Sequence, residues 1–386
     1  MSNEPTVNID KFLGIYNREQ SRRLPVGALT TAENVDVDDT GGIIRRQGYV
    51  KSLDLTSVTS AFSTQDERRL FVVADGELLH VDRDLHTTVI AAGVSSDYIQ
   101  WVEVADFILL SNGFIIDADN RVSTWRIESP PAPVARVQSG SLRAGQYQFA
   151  VTYVDALGRE GPASPVVVMD LMDESGVSLT FSQVLYPSAR IYASDTNGTE
   201  LYYLGQCVSG QFTVTDVSNA SSPIDDCQLG AIACPSKANI LAHYNARIWA
   251  AETEGPQSTV WYSEPYWWNI FKDFIVVPGQ IRVMVGHRDG LIIGTDDEIY
   301  VYNDSLVRVA EYGVPSGVPY TIDDSGTVFL WTKQGLCSAL PFQNMTEVKV
   351  SLPTGKVCFS ALVEQNGFKK VVVLTDGEGD ADNSLI

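Results

Sequence analysis

Five aromatic side chains stand within eight positions of the stretch VWYSEPYWWNI, residues 260–270: Trp261, Tyr262, Tyr266, Trp267 and Trp268. Rings at this density serve one of three purposes. They stack on sugars, they form a partner interface, or they fill a joint between β-sheets, where each buries about 150–250 Å². The stretch follows the strand-like run STVWYSE and precedes FIVVPGQIRVMVG, so it reads as the link between one sheet's hairpin and the next sheet's first strand. In that place packing between sheets takes precedence over a partner interface, and a sugar platform comes third. Trp261, Tyr266, Trp267 and Trp268 are the candidate residues.

Other chemistry-bearing residues form weaker patterns. VDVDDTGG sets Asp36, Asp38 and Asp39 ahead of Gly41, with the alternating acids and glycine of a calcium loop, but the twelfth position holds Gln47 where an EF-hand needs an acid. A hairpin turn is the better reading. HRDGL, from His287, has Gly294 where a kinase catalytic loop needs Asn, so its Asp-Gly is read as a turn between two strands. The histidines, His80, His86, His243 and His287, show no metal-ligand spacing. There is no GxSxG and no P-loop. Among 48 acids no carboxylate pair, Glu264 included, stands out as a glycosidase pair. The expectation is no enzyme, no cofactor and no catalytic or metal residue.

These residues must be held by strands. Val, Tyr, Phe and Trp are frequent, and no segment longer than ten residues keeps a helical period. A unit of two apolar runs around a turn recurs: RRLFVVADGELLHVD from Arg68, DFILLSNGFIIDAD from Asp106, ARIWAAETEGPQSTVWYSE from Ala246, GLIIGTDDEIYVYN from Gly290, GTVFLWTKQGLCSAL from Gly326 and FKKVVVLTDGEG from Phe368. Its spacing of about 35 to 45 residues suits the four-stranded blades of a propeller. The spacing breaks between the Pro-rich IESPPAPVARV and ACPSKANI. There, AGQYQFAVTYVDALGREGPASPVVV alternates strictly, with Tyr147, Phe149, Val151 and Tyr153 on one face, a sandwich pattern close to fibronectin type III domains. The expected fold is all-β: a β-propeller of about five to seven blades interrupted by an inserted fibronectin type III-like β-sandwich. Residues 1–128 hold an N-terminal hairpin and the first blades, 129–236 the sandwich, and 237–386 the remaining blades. The hairpin ENVDVDDTGGIIRRQGY is a candidate to share a blade with the last segment.

Bulk properties limit the partners. The formal net charge of −21 opposes a grip on phosphates, so nucleic acid is not an expected ligand. The same acidity suits solubility, or a wall that DNA slides past. No apolar run approaches ~18 residues, so no membrane insertion is expected. Five scattered cysteines without CxxC, behind a polar N-terminus, point to a reduced intracellular origin.

The segment FLGIYNREQSRRLPVGALTTAENVDVDDTGGIIRRQGY resembles the start of tailed-bacteriophage tail proteins. In these a Phe-x-Gly precedes Leu-x-x-Gly-Ala-x-x-x-Ala-x-Asn-Val and then Gly-x-x-x-Arg-x-Gly-Tyr. The matching positions are Phe12, Gly14, Leu24, Gly27, Ala28, Ala32, Asn34, Val35, Gly42, Arg46, Gly48 and Tyr49. VWYSEPYWWNIF with IRVMVGHRDGLIIGTDDEIYVY, and the sandwich opening PPAPVARVQSGSLRAGQYQFAVTYVDALGREGPASP, are similar to the same group. Within it the chain resembles the propeller-bearing nozzle proteins of short-tailed phages, which are usually much longer. The resemblance implies a virion structural protein of the tail, made in the bacterial host cytoplasm. It would be a ring of copies that lines or closes the DNA channel and docks adaptor, tube or fibre proteins, with DNA only as transiting cargo during ejection. The alternatives are a receptor- or glycan-binding propeller and a propeller-type glycoside hydrolase.

Overall fold

A computed structural model describes every residue except 1–8, 39, 47, 49, 96, 183–185, 347–348, 366–367 and 377–386. The described residues form strands and two short 3₁₀ turns, with no α-helix among them, so the all-β expectation holds. Two compact units emerge, one of residues 57–253 with 259–276, the other of 1–56, 254–258 and 277–386.

The first unit contains two four-stranded antiparallel meanders and most of a third. They run Val58–Ser63, Leu70–Ala74, Glu77–Val81 and Thr87–Ala92; then Trp101–Val104, Phe107–Leu110, Phe114–Ile116 and Val122–Thr124; then Ile240–Tyr244, Arg247–Glu254, Gln257–Glu264 and Trp267–Pro278. The inner strands of the first two meanders read as apolar runs, not as alternations. Leu109 packs in a core with Ile248, Ala250 and Phe271 of the third meander, while Ile108 and Leu110 pack with Phe71, Val73 and Leu78 of the first. A strand covered on both faces needs apolar residues at both parities.

Between the second and third meanders the chain makes a two-sheet sandwich. One sheet orders Val134–Leu142, Ser175–Thr180 and Gln211–Val214. The other is built on Gly145–Val154, which pairs with Glu160–Ala163, Val167–Leu171 and Ser188–Ser194, while Leu201–Cys207 pairs with Ser188–Ser194 at the edge. Tyr147, Phe149, Val151 and Tyr153 all enter the core that both sheets share, as their alternation predicts. The insert has its own core yet belongs to one compact unit with the meanders.

The second unit carries two more four-stranded meanders: Ile281–His287, Gly290–Thr295, Ile299–Asn303 and Ser305–Ala310; then Tyr320–Ile322, Val328–Thr332, Gly335–Ala339 and Gln343–Asn344. A last sheet pairs Ser316–Val318 in parallel with Val357–Gln365, which pairs antiparallel with Phe368–Thr375. HRDGL is the expected turn, with His287 paired to Gly290. The N-terminal hairpin departs from expectation. Val35–Val37 and Ile43–Arg45 pair only with each other among the described residues, as a separate two-stranded sheet. Its tie to the last sheet is ionic: Lys370 Nζ lies 2.8 Å from Asp36.

One turn recurs throughout. In DDTGG, DRDLH, DADNR, DALGR and DDSGT, beginning at Asp38, Asp82, Asp117, Asp155 and Asp323, the Asp carboxylate accepts the backbone N–H groups two and four residues on. Its backbone N–H donates to the carbonyl four residues on, and its carbonyl accepts from the residue three on. That third residue lies in the left-handed region: Gly41, Leu85, Asn120, Gly158 and Gly326. The carboxylate satisfies donors that a tight turn leaves without a ladder partner.

Candidate functional site

The aromatic stretch is a hairpin inside the third meander. Pro265 stops the strand Gln257–Glu264, Tyr266 takes φ 65° with its N–H on the Ala246 carbonyl at 2.9 Å, and Trp267–Pro278 returns. This corrects the expected link between sheets. The step to the next meander is made by Pro278–Gly279, where Ser258 Oγ donates to the Gly279 carbonyl at 2.8 Å and accepts the Ile281 N–H.

The four candidate aromatics separate. Trp261 and Trp268 pack against the core that joins the second and third meanders. Trp268 meets Phe107 edge-on, with ring centres 5.5 Å apart, and Trp261 lies 4.9 Å from Phe274. Tyr266 is 82% exposed at the turn. Trp267 lines a cleft of about 470 Å³ against the sandwich.

Polar groups at that cleft form a network the sequence reading missed. Glu160, buried, accepts Arg190 Nη1 at 2.6 Å, the Tyr192 hydroxyl at 2.7 Å and the Thr152 hydroxyl. Burial first, then the Glu160 charge, pushes the Tyr192 phenol up, so it remains a donor. The Arg190 guanidinium lies 5.8 Å over the Tyr203 ring. The seam is fixed by Asn269 Nδ2 on the Glu160 carbonyl at 2.6 Å, Gln228 Nε2 on the Gly161 carbonyl at 3.0 Å, and a bridge between Ile232 and Phe271. Thr152, Arg190 and Tyr192 occupy the parity opposite the sandwich core residues Val151, Tyr153, Ala189 and Ile191. Their polarity on a strand face was the available signal. It pointed to solvent only because the cover over that face was invisible.

Beside the cleft, Asp225 caps the turn Asp226–Gln228, accepting the Cys227 N–H at 3.0 Å. Burial, a hydrogen bond donated by the thiol to Asp225, and the charges of Asp225 and Glu264 push the Cys227 thiol up to about 12, and Lys272 offsets them in part. All five cysteines are free thiols.

The motif residues of the N-terminal segment lie in the second unit and shape its backbone. Lys11–Ile15 threads past two glycines: a Cβ on Gly27 would stand 2.2 Å from the Lys11 carbonyl oxygen, and one on Gly41 would stand 2.4 Å from Lys11 Cβ. Gly14–Ile15 pairs in parallel with Ala28–Leu29, and Phe12 N–H donates to Gly41. Asn34 has φ 55° and its carbonyl accepts the Arg46 N–H at 3.0 Å. The Arg46 guanidinium pairs with Asp36 at 3.1 Å. Gly42 leaves room for Asp38 Oδ2, 2.7 Å from where its Cβ would be, while Gly48 is exposed with open space around it. Tyr49, with Asp39 and Gln47 of the calcium comparison, lies outside the described residues. Asp38 serves the turn and Asp36 the ion pairs, so this stretch is the hairpin expected. Asp82, Asp84 and His86 bring ligand-type atoms within 4.8 Å on an exposed turn, an arrangement their turn hydrogen bonds account for.

No family model matches the chain, and no curated protein matches it. Solved structures are similar at low identity. The Dos1 propeller shares 9% identity, with 88% of this chain and 78% of that chain covered and a TM-score of 0.38. AztD of Citrobacter koseri shares 10%, covering 89% and 87%, with a TM-score of 0.35. A functionally unknown protein from Desulfotomaculum acetoxidans shares 11%, covering 81% and 89%, with a TM-score of 0.33.

Proposed function

We propose that this chain is a structural protein of a bacteriophage tail, a nozzle-like component whose meanders build a β-propeller interrupted by a fibronectin type III-like sandwich. Copies assemble as a ring that lines or closes the DNA channel and docks adaptor, tube or fibre proteins. The observation that carries this reading is the N-terminal segment. The residues that resemble phage tail proteins include those whose geometry this backbone needs: Gly27 against Lys11, Gly42 against Asp38, Asn34 at positive φ, and Arg46 on Asp36. A resemblance on such positions reports a shared local fold. The acidic composition supports the channel role, since a wall of like charge does not bind passing phosphates.

Immunogold labelling of tailed particles from the source culture, with antibody against this chain, tests the proposal. Gold at one station on the tail is the expected result. Particles unlabelled at every position, with the chain free in the lysate, would remove it.

A further inference from the structure

We propose that the cleft between the sandwich and the aromatic hairpin is a binding site for a neutral pyranose sugar. Its volume, about 470 Å³, falls in the range of small-ligand sites, roughly 300–1,000 Å³. It combines the two surfaces such a ligand requires. The apolar C–H face of a pyranose packs on a flat ring, and Trp267 supplies such a ring in the wall. Its hydroxyls are both donors and acceptors. They need fixed partners of both kinds, and the remaining guanidinium N–H groups of Arg190, the Gln206 carbonyl and the Asp225 carboxylate provide them. Gln206 spends its amide nitrogen on Ser188 Oγ at 2.6 Å, which leaves the oxygen as acceptor.

Charge selects the class. Glu160 already neutralises Arg190 at 2.6 Å, Asp225 borders the same cleft, and the whole chain carries −21, so an anionic ligand is disfavoured. Arg190 is nonetheless reachable, its side chain 41% exposed while Glu160 is 7% exposed. The site is preorganised. Glu160, itself held by the Tyr192 and Thr152 hydroxyls, fixes the guanidinium; Asn269 ties the third meander to the Glu160 carbonyl and Gln228 is anchored on the Gly161 carbonyl. A ligand therefore finds the polar groups already placed, which lowers the ordering cost of binding. This inference is independent of the tail assignment.

The test is titration of the intact chain with methyl β-glucopyranoside, methyl α-mannopyranoside and N-acetylglucosamine, followed by saturation-transfer NMR and calorimetry at millimolar concentration. Wild type should bind at least one of them. Tyr266→Ala, outside the cleft, should leave binding unchanged. Trp267→Ala should weaken it by about tenfold or more with an unaltered unfolding midpoint. If W267A fails to fold, Gln206→Ala takes its place, with the same loss expected. Wild type that binds none of the three sugars overturns the proposal, as does a folded cleft variant that binds as well as wild type.

Discussion

Tyr266 and Trp268 are two positions apart and should answer substitution in opposite ways. Tyr266→Ala removes an exposed ring and should change stability by less than about 0.5 kcal/mol. Trp268→Ala opens the joint between the second and third meanders and should cost about 3 kcal/mol, read as a lower thermal unfolding midpoint. Equal effects would contradict the packing described for Trp268. The sequence showed the cluster but not its division, because the aromatic count is unchanged whether the chain reverses at Pro265–Tyr266 or continues to a new sheet. Asp36 gives a second residue-scale test. Burial pushes its carboxyl up, but hydrogen bonds from Lys370 and Arg46, with both positive charges, outweigh this and hold it below 3.8. A depressed carboxylate contributes stability that is fully present above about pH 4 and is lost as pH falls through its folded pKa. Asp36→Asn should therefore melt below wild type at pH 7, with the gap closing as the carboxylate is protonated in acid. A gap independent of pH would show that the ion pairs contribute nothing.

At the scale of elements, the Asp-capped turn makes the sharpest statement. Four of its five examples place Gly or Asn at the left-handed position, and the first meander places Leu85 there with φ 64°. A branched side chain in that region costs about 1–2 kcal/mol, whereas Asn tolerates it. Leu85 is 45% exposed, so little packing is lost on replacement. Leu85→Asn should raise the unfolding midpoint by about 1–3 °C. In the opposite direction, Asp117→Ala removes the acceptor of the Asp119 and Arg121 N–H groups, at a cost of about 1–3 kcal/mol. The strand pairs were legible because apolar runs, Asp-Gly turns and strict alternation in 147–153 each have one local cause. The common turn escaped notice because its defining contact joins a side chain to backbone N–H groups, and no residue but the Asp is constant. The Glu160 network escaped for a different reason. Its members come from three strands, and only their pairing brings them together.

At the scale of the whole molecule, charge is unevenly shared. Residues 1–51 carry seven Lys or Arg against seven Asp or Glu, so the full net charge of −21 falls on residues 52–386. The segment that resembles tail proteins is thus electrically neutral, and the meanders and sandwich form an acidic body. Lys and Arg contacts supply essentially all nonspecific affinity for DNA, in proteins that bind it with dissociation constants of about 10⁻⁴–10⁻⁶ M. An acidic body has no equivalent source of affinity, and lowering the salt lengthens the reach of its repulsion. Fluorescence anisotropy of a labelled duplex should therefore stay flat up to about 10 μM protein, at low and at physiological salt alike. Lowering the ionic strength is the more demanding condition. A DNA-binding protein gains affinity steeply there, while a repulsive wall gains none. Anisotropy that rises as salt is removed would reveal a basic face hidden by the total charge, and would count against a passage that DNA traverses without sticking.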